Sequence, residues 1–503
     1  MSECILAVDQ GTTGTTALVL DAEGAIRGRG YCPVGQHYPS PGWVEHDPLD
    51  LWQSVRSAAG RAIEAAGGAP GDLRALGITN QRETTLLWER ASGRPVCRAL
   101  VWQCRRTAEL CAALRAEGLE ELARERTGLL LDPYFSGPKV KWLLDADSEF
   151  RARAERGELA FGTVDSWLVW NLTGGKAHVT DASNASRTLL LNLDSAVWDP
   201  DMLEALTVPA AVLPRVVDSS GVVGETAAGD PFPAGLPISG LAGDQQAALF
   251  GQGCFSPGSA KNTYGTGCFL LVQAGEQRPR PPRGILATIA WRIAGVTSYA
   301  TEGSVFVAGA AVQWLRDELG IIESAAETDS LARSVPDTGG VTVVPAFVGL
   351  GAPYWDPHTR GTIVGLTRGT SRAHLARAVL ESIAHQVADV VAAMEDGGAA
   401  DVHELRVDGG AAENDFLMQF QADLLDLPVI RPRSLETTAV GAALLAGLGV
   451  GLYPSLEELA HRQPPARVFR PGATDEARLR SREEWRRAVA CARSWGQGPE
   501  TAR

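Results

Sequence analysis

Residues 5–20 read ILAVDQGTTGTTALVL. An apolar run ends in Asp9, a Gly/Thr-rich turn follows, and a second apolar run begins at once. Two such runs around so short a turn form a β-hairpin. A turn of this composition lets backbone N–H groups and hydroxyls approach anionic oxygens. It is not a Walker A loop, because GxxxxGK[ST] is absent. Nor is it a Rossmann fingerprint, because strand and not helix follows. What remains is a phosphate-holding hairpin without a lysine, in which Thr12 and Thr13 bring hydroxyls.

The pattern continues as a three-strand meander over residues 5–32. Asp47-Pro48 marks a helix start, with Leu51, Val55, Ala59 and Ile63 on one face. Strands are predicted at 73–79 and 85–89, and mostly helix from Arg105 to Asp145. The order then recurs: AKNTYGTGCFLLV (260–272) is strand, Gly/Thr turn, strand, followed by LATIAW and GVTSYA as another meander. Helices are predicted at 304–318, 371–395, 413–425 and 437–448. A chain of 503 residues is too long for one core, and the repeated plan divides it into domains 1–252 and 253–503, with the junction at QGCFSPG. The Pro/Gly-rich run AAGDPFPAGLPISG (227–240) reads as a surface loop.

A formal net charge of −14 argues against a nucleic-acid or anionic-membrane partner. No stretch approaches the run of roughly 20 apolar residues that a membrane helix needs. The start of the chain reads straight into a strand and not into a secretory signal, so a cytoplasmic location with reduced cysteines is expected. The eight cysteines include no CxxC pair; Cys97, Cys104 and Cys111 have helix-face spacing.

Three stretches share the form apolar strand, Asp, small residues: AVDQGTTG (7–14), SGLAGDQQAA (239–248) and LRVDGGAAEN (405–414). Each alone is as readily a hairpin turn or a helix cap. Together with YGTG (264–267) they point to loops that hold phosphates and aim carboxylates at a cation or a proton. NQRETT (80–85) sets Arg82 beside Glu83 at a strand end; donors next to acceptors suit adjacent hydroxyls, although a surface ion pair would look the same. Tyr134, Trp102 and Phe269 offer aromatic walls if the loops converge, and core residues if they do not. No HExxH and no GxSxG nucleophile elbow is present.

The motifs DQGTT, GITNQRETT, VWQCRRTAE, HVTDASNASRT, AGDQQAALFGQ, AKNTYGTGCF, VPAFVGLGAPYWDP and RVDGGAAENDFLMQF closely resemble the FGGY carbohydrate kinases, on the branch that phosphorylates glycerol. The resemblance runs from about residue 4 to the C-terminal helices. It implies an α/β fold of two RNase H-like domains, as in actin, Hsp70 and sugar kinases, closing on an ATP cleft. The implied activity is ATP-dependent phosphorylation of glycerol to sn-glycerol 3-phosphate. Asp244 matches the catalytic base. Arg82, Glu83, Tyr134, Asp244 and Gln245 match the glycerol contacts, with Trp102 and Phe269 as the apolar wall. Asp9 matches the position near Mg²⁺. Thr12, Thr13, Gly14, Thr266, Gly309, Gln313, Gly410 and Asn414 match the nucleotide site. A homodimer or homotetramer is implied as well. Rival readings are a kinase for another small polyol or ketose, and a non-catalytic ATP-binding module; the polyol residue set disfavours the module.

Departures from the family also carry information. Relatives often have Arg where this chain has Thr16. Some bind fructose 1,6-bisphosphate through a Gly-rich loop with an arginine, but the matching run at 227–240 has no basic residue. No histidine lies between His178 and His358. Inhibition by that effector and activation by loop-histidine phosphorylation are therefore not expected.

Overall fold

The opening runs form β1 (Cys4–Gln10), β2 (Gly14–Asp21) and β3 (Ile26–Pro33), an antiparallel meander as the pattern predicts. The computed structural model describes residues 3–67, 72–396, 401–460, 462 and 465–496. Ile5, Leu6, Ala7 and Val8 are all buried, so β1 is covered on both faces, which is why it is a continuous apolar run. Helix α1 (Pro48–Ala65) begins where Asp47 accepts a hydrogen bond from the N–H of Leu49. Its Leu51, Val55, Ala58 and Ala62 face the sheet. The helix lies so close to β3 that a Cβ at Gly28 or Gly30 would come within 2.1 or 2.0 Å of the Ala62 or Ala58 carbonyl oxygen, so only glycine fits there.

Ten further strands complete one sheet of 13. They are β4 (Leu73–Asn80), β5 (Ser220–Glu225), β6 (Pro237–Gly243), β7 (Ser259–Tyr264), β8 (Cys268–Gly275), β9 (Leu286–Ile293), β10 (Val296–Val305), β11 (Glu404–Asp408), β12 (Val429–Pro432) and β13 (Pro465–Phe469). Their spatial order is β13-β12-β11-β7-β8-β10-β9-β5-β6-β4-β1-β2-β3. Two half-sheets meet where Ser220 on β5 pairs with Ile293 on β9. In each half the strand before a Gly/Thr turn runs parallel to a later strand, β1 beside β4 in the first and β7 beside β11 in the second, and in the first half β6 also runs parallel to β4.

The main helices are α2 (Asp244–Gly251), α3 (Gly309–Asp317), α4 (Arg372–Asp396), α5 (Asp415–Leu425), α6 (Thr437–Gly449) and α7 (Asp475–Gly496). Helix α6 comes late in the chain yet packs on β1, β4, β6 and α2. A Cβ at Gly441 would sit 1.8 Å from the Ala247 carbonyl oxygen, so the α2–α6 contact is close backbone packing. Among the described residues no helix is long and apolar enough to cross a membrane.

Several expectations are corrected. The second half is not a simple meander: β10, not β9, lies beside β8, because the Pro-rich segment after β8 carries the chain past one strand position. Ala287 and Ile289 of β9 then pack on Ala182, Ala185 and Leu191 of the first half. Residues 237–240, expected as loop, open β6 and are largely buried. Helix does not begin at 304, because β10 runs to Val305. The strand expected at 85–89 is present as Leu86–Glu89, and it pairs with Leu159–Gly162 outside the large sheet. Of Cys97, Cys104 and Cys111 only Cys111 lies in a helix, so their spacing marks no common face.

Helix α7 docks on α4 through a buried polar cluster. The His385 ring stacks on Trp485 at 5.2 Å, Trp485 donates to Asp389 at 2.6 Å, and Arg482 pairs with Asp389 at 3.0 Å. Burial, reinforced by Arg482, pushes the His385 imidazole down to about 3. The unfolded chain therefore binds a proton at His385 that the folded chain refuses. This contribution to stability is complete above about pH 6.5 and is lost as the pH falls toward 3. Between pH 6.5 and 5 the His385→Phe variant is expected to lose ~2 kcal/mol less stability than the parent. Parallel slopes of unfolding free energy against pH would contradict it.

Candidate active site

Parallel pairing explains why the motif loops meet. Gln10, Asn80 and Gly243 are in register at the C-terminal ends of β1, β4 and β6. The residues that follow or adjoin them, Asp9, Arg82, Glu83 and Asp244, are thereby brought to one edge, where open α/β sheets place ligands.

Arg82 and Glu83 are not a surface ion pair. Both side chains are 1% exposed. Arg82 donates to both oxygens of Glu302, at 2.6 and 3.0 Å, and its Nε lies 3.2 Å from Asp244 Oδ1. Its Nη2 lies 3.4 Å from the Tyr134 hydroxyl. Arg187 closes the arrangement, donating to Glu83 at 2.8 Å and to Glu302 at 2.9 Å. Two buried guanidiniums thus alternate with two buried carboxylates. Burial resists ionisation of Glu302, but Arg187 and Arg82 outweigh it and bring its carboxyl down to about 2. For Glu83 burial outweighs the same two arginines and its carboxyl is raised. Glu83 also holds a positive φ of 61°, a strained conformation for a side-chain-bearing residue and of the kind that collects at functional sites.

The aromatic residues converge. The ring of Trp102 lies edge-on to Tyr134 at 5.6 Å and to Phe269 at 6.3 Å. Phe269 comes from β8, so the apolar wall is built by both halves of the molecule. The Trp102 indole N–H donates to the Thr12 hydroxyl at 2.8 Å, which ties this wall to the opening hairpin. Trp102→Ala removes both contacts and is expected to raise the glycerol KM about tenfold, the equivalent of ~1.4 kcal/mol. An unchanged KM would exclude Trp102 from the wall.

The hairpin turn is closed by the Gly11 N–H donating to the Gly14 carbonyl at 2.9 Å. Thr13 stands exposed at its tip. Thr16 is the cross-strand partner of Asp9. The Asp9 carboxyl is pushed up to about 8 by burial, then by Asp244 and Glu436. Gln245 receives a hydrogen bond from Lys261, a buried lysine that also donates to Thr263 at 2.9 Å. Burial lowers the Lys261 ammonium despite the carboxylates of Asp408 and Asp244.

Thr266, Gly309, Gln313, Gly410 and Asn414 all line one cavity of about 630 Å³ in the second half. The Thr266 carbonyl accepts from the N–H of Ala308 at 2.8 Å and of Ala310 at 3.1 Å, so the YGTG turn is fastened to the start of α3. Gly409 has φ +84°, and a Cβ there would sit 2.5 Å from the Tyr264 carbonyl oxygen; this close approach brings the turns after β7 and β11 together. The Asn414 side chain is engaged at both ends, accepting from Leu417 N–H at 2.9 Å and donating to Thr328 at 3.1 Å. It shapes the cavity by holding Thr328.

Sequence reasoning missed Arg187 and Glu302, which hold Glu83 and Arg82, and Arg316 and Thr328, which line the larger cavity. A usable signal existed for the first pair. Each is the lone charge in a run otherwise built for burial, ASNASRTLLL (182–191) and SYATEGSVF (298–306), and a buried charge needs a partner.

Comparison with known proteins agrees with this layout. The FGGY family of carbohydrate kinases matches through its N-terminal domain at residues 4–251 and its C-terminal domain at residues 260–450. The glycerol kinase of Aromatoleum aromaticum is 57% identical, over 98% of this chain and 99% of its own. Glycerol kinase 2 of Thermotoga maritima is 56% identical with the same coverage. The crystal structure of Plasmodium falciparum glycerol kinase with ADP superposes with a TM-score of 0.92 at 34% identity, covering 98% of both chains. With both of its halves matched and its relatives aligned almost end to end, the chain belongs to the FGGY family of carbohydrate kinases.

Proposed function

We propose that this chain transfers the γ-phosphoryl group of ATP to a terminal hydroxyl of glycerol, giving sn-glycerol 3-phosphate and ADP. The observation that carries the reading is the polyol site itself. Buried Arg82 and Glu83, the Tyr134 hydroxyl and Asp244 surround one position beside an apolar wall of Trp102 and Phe269. Glycerol needs that pairing of donors and acceptors for its hydroxyls, and the wall covers its carbon chain. Curated relatives named glycerol kinase at 54–57% identity support the substrate.

Asp244 stands at the N-terminus of α2 with its side chain 30% exposed, the only one of the Arg82 carboxylate partners open to the site. It takes the proton of the attacking hydroxyl as the oxygen–phosphorus bond forms and the β–γ bridging bond breaks. A carboxylate suffices as base when the proton leaves late in a loose transition state. Arg82 orients Asp244 and the substrate together. The hairpin amides and hydroxyls of Thr12, Thr13 and Gly14 face the transferring phosphoryl group. Residues 1–252 thus supply the phosphate hairpin and most of the polyol site, and residues 253–503 supply the nucleotide cavity. Closure of the halves keeps water from competing as acceptor.

The residues also fit Mg²⁺. Burial and the Asp244 and Glu436 charges raise the Asp9 carboxyl, so its ionised form calls for a nearby cation. No group of three potential ligand side chains occurs among the described residues, and Mg²⁺ bound with ATP uses one or two carboxylates, keeping waters and phosphate oxygens as its other ligands. Asp9 would hold the ion, which would neutralise charge on the phosphates in place of a Walker lysine.

A steady-state panel of glycerol, dihydroxyacetone, erythritol and xylulose tests the substrate. Glycerol is expected to give the highest kcat/KM. A higher value for xylulose or erythritol would overturn the assignment.

A further inference from the structure

A second cavity lies away from both sites, between the helix Leu119–Thr127 and the segment 278–285. Its volume is about 230 Å³. Arg124, Arg278, Arg280 and Arg283 line it, against the carboxylates Glu121 and Glu125. In a chain of net charge −14 this is a local reversal of sign.

Arg124 and Arg278 are tied into the fold, whereas Arg280 and Arg283 are not. The Arg278 side chain is 9% exposed; its Nη1 donates to Asp194 at 2.5 Å and its Nη2 to the Glu125 carbonyl at 2.5 Å, but its buried Nε has no partner. Buried donors are ordinarily matched. Arg283 approaches Glu121 only to 3.8 Å, both largely exposed, a weak pair. Arg280 makes no ion pair among the described residues and is exposed. The sequence RPRPPR (278–283) fixes the backbone between these side chains, so less freedom is lost when a ligand gathers them.

We propose that this cavity binds a small phosphoryl anion, free phosphate or a three-carbon phosphate ester, and that its occupancy tunes the polyol site. Guanidinium forks match phosphate oxygens in geometry and charge. The cavity walls lead to the polyol clamp from two sides. The Gly128 carbonyl accepts from the Ala287 N–H at 3.0 Å, and four residues after the lining residue Leu130 comes Tyr134. On the other wall Leu286, flanked by the lining residues Ile285 and Ala287, pairs across β9–β10 with Glu302. Binding stands on the cavity alone; the tuning rests on the glycerol reading above.

The test is calorimetric titration with 3-phosphoglycerate and, separately, inorganic phosphate, with ADP present to fill the nucleotide cavity. The comparison variant is R280E/R283E, whose two side chains face solvent and lie outside the catalytic machinery. Saturable binding to the parent, weakened at least about tenfold in the variant, is expected. Tighter binding of the ester assigns the site to phosphate esters; equal binding assigns it to free phosphate. The glycerol KM of the parent shifts at least about twofold with the anion, that of the variant does not, and kcat without anion is the same in both. No binding up to about 10 mM, or equal affinity in the variant, overturns the site. Binding with an unmoved KM overturns the tuning. A failed glycerol reading would be seen separately, as absence of glycerol turnover without any anion.

Discussion

Asp244→Asn is expected to lower kcat by about 10²–10⁴-fold, the usual range for a general base, with the KM for glycerol and ATP changed only a few-fold. The argument is geometric. Asp244 Oδ1 accepts from the Gln245 N–H at 2.7 Å and lies 3.2 Å from Arg82 Nε. An asparagine oxygen accepts from the same donors, and Arg82 keeps its Glu302 partner at 2.6 Å. Shape and position survive, while the ability to take a proton does not. Unfolding free energy is accordingly expected to change by about 0.5 kcal/mol or less, as for a half-open position. Steady-state kinetics and denaturant titration of the same preparation check both halves. A variant that keeps kcat within tenfold of the parent would remove Asp244 from the role of base.

Glu302→Gln should do the opposite, costing stability first. Glu302 is fully buried between Arg82 and Arg187, whose side chains are 1% and 0% exposed. Its replacement leaves two buried guanidiniums with Glu83 as their one fully buried carboxylate, since Asp244, 3.2 Å from Arg82, is 30% exposed, so the buried cluster itself carries a net positive charge. Removing one partner from such a buried pair costs about 3–5 kcal/mol. The glycerol KM is also expected to rise more than about tenfold, because Arg82 loses the bidentate carboxylate that fixes its plane beside the substrate. The ATP KM should move less, since the nucleotide cavity is lined by other residues. A loss below about 1 kcal/mol in denaturant unfolding would show that the network is not the internal clamp described here.

The two variants separate roles that proximity alone would blur. Asp244 sits at the open end of the Arg82 contacts and Glu302 at the closed end. Chemistry is expected to depend on the first, and rigidity on the second.

Much of the candidate site was legible in the sequence because short motifs lie at strand ends. NQRETT follows β4 and GDQQ follows β6, and parallel pairing then forces Arg82, Glu83 and Asp244 together. Trp102, Tyr134 and Phe269 were readable only as conditional partners, since each could equally have been core. Their convergence depends on β8 of the second half reaching the first. Arg187 and Glu302 were not read at all. They are far apart in the chain and are brought into direct contact, at 2.9 Å, only by the tertiary fold.

For the opening hairpin, local chemistry was enough. A turn of Gly and Thr between two apolar runs can be neither helix start nor Walker loop, so the class of phosphate site followed from residues a few positions apart. The same holds for the parallel strand ends, whose Asp-and-glycine form is local. The order of β9 and β10, the packing of late helix α6 on the first half-sheet, and the charge state of the buried arginine–glutamate cluster did not follow from the sequence. Each depends on contacts between segments distant in the chain, where burial removes water and makes every charge answer to whichever partner the fold supplies.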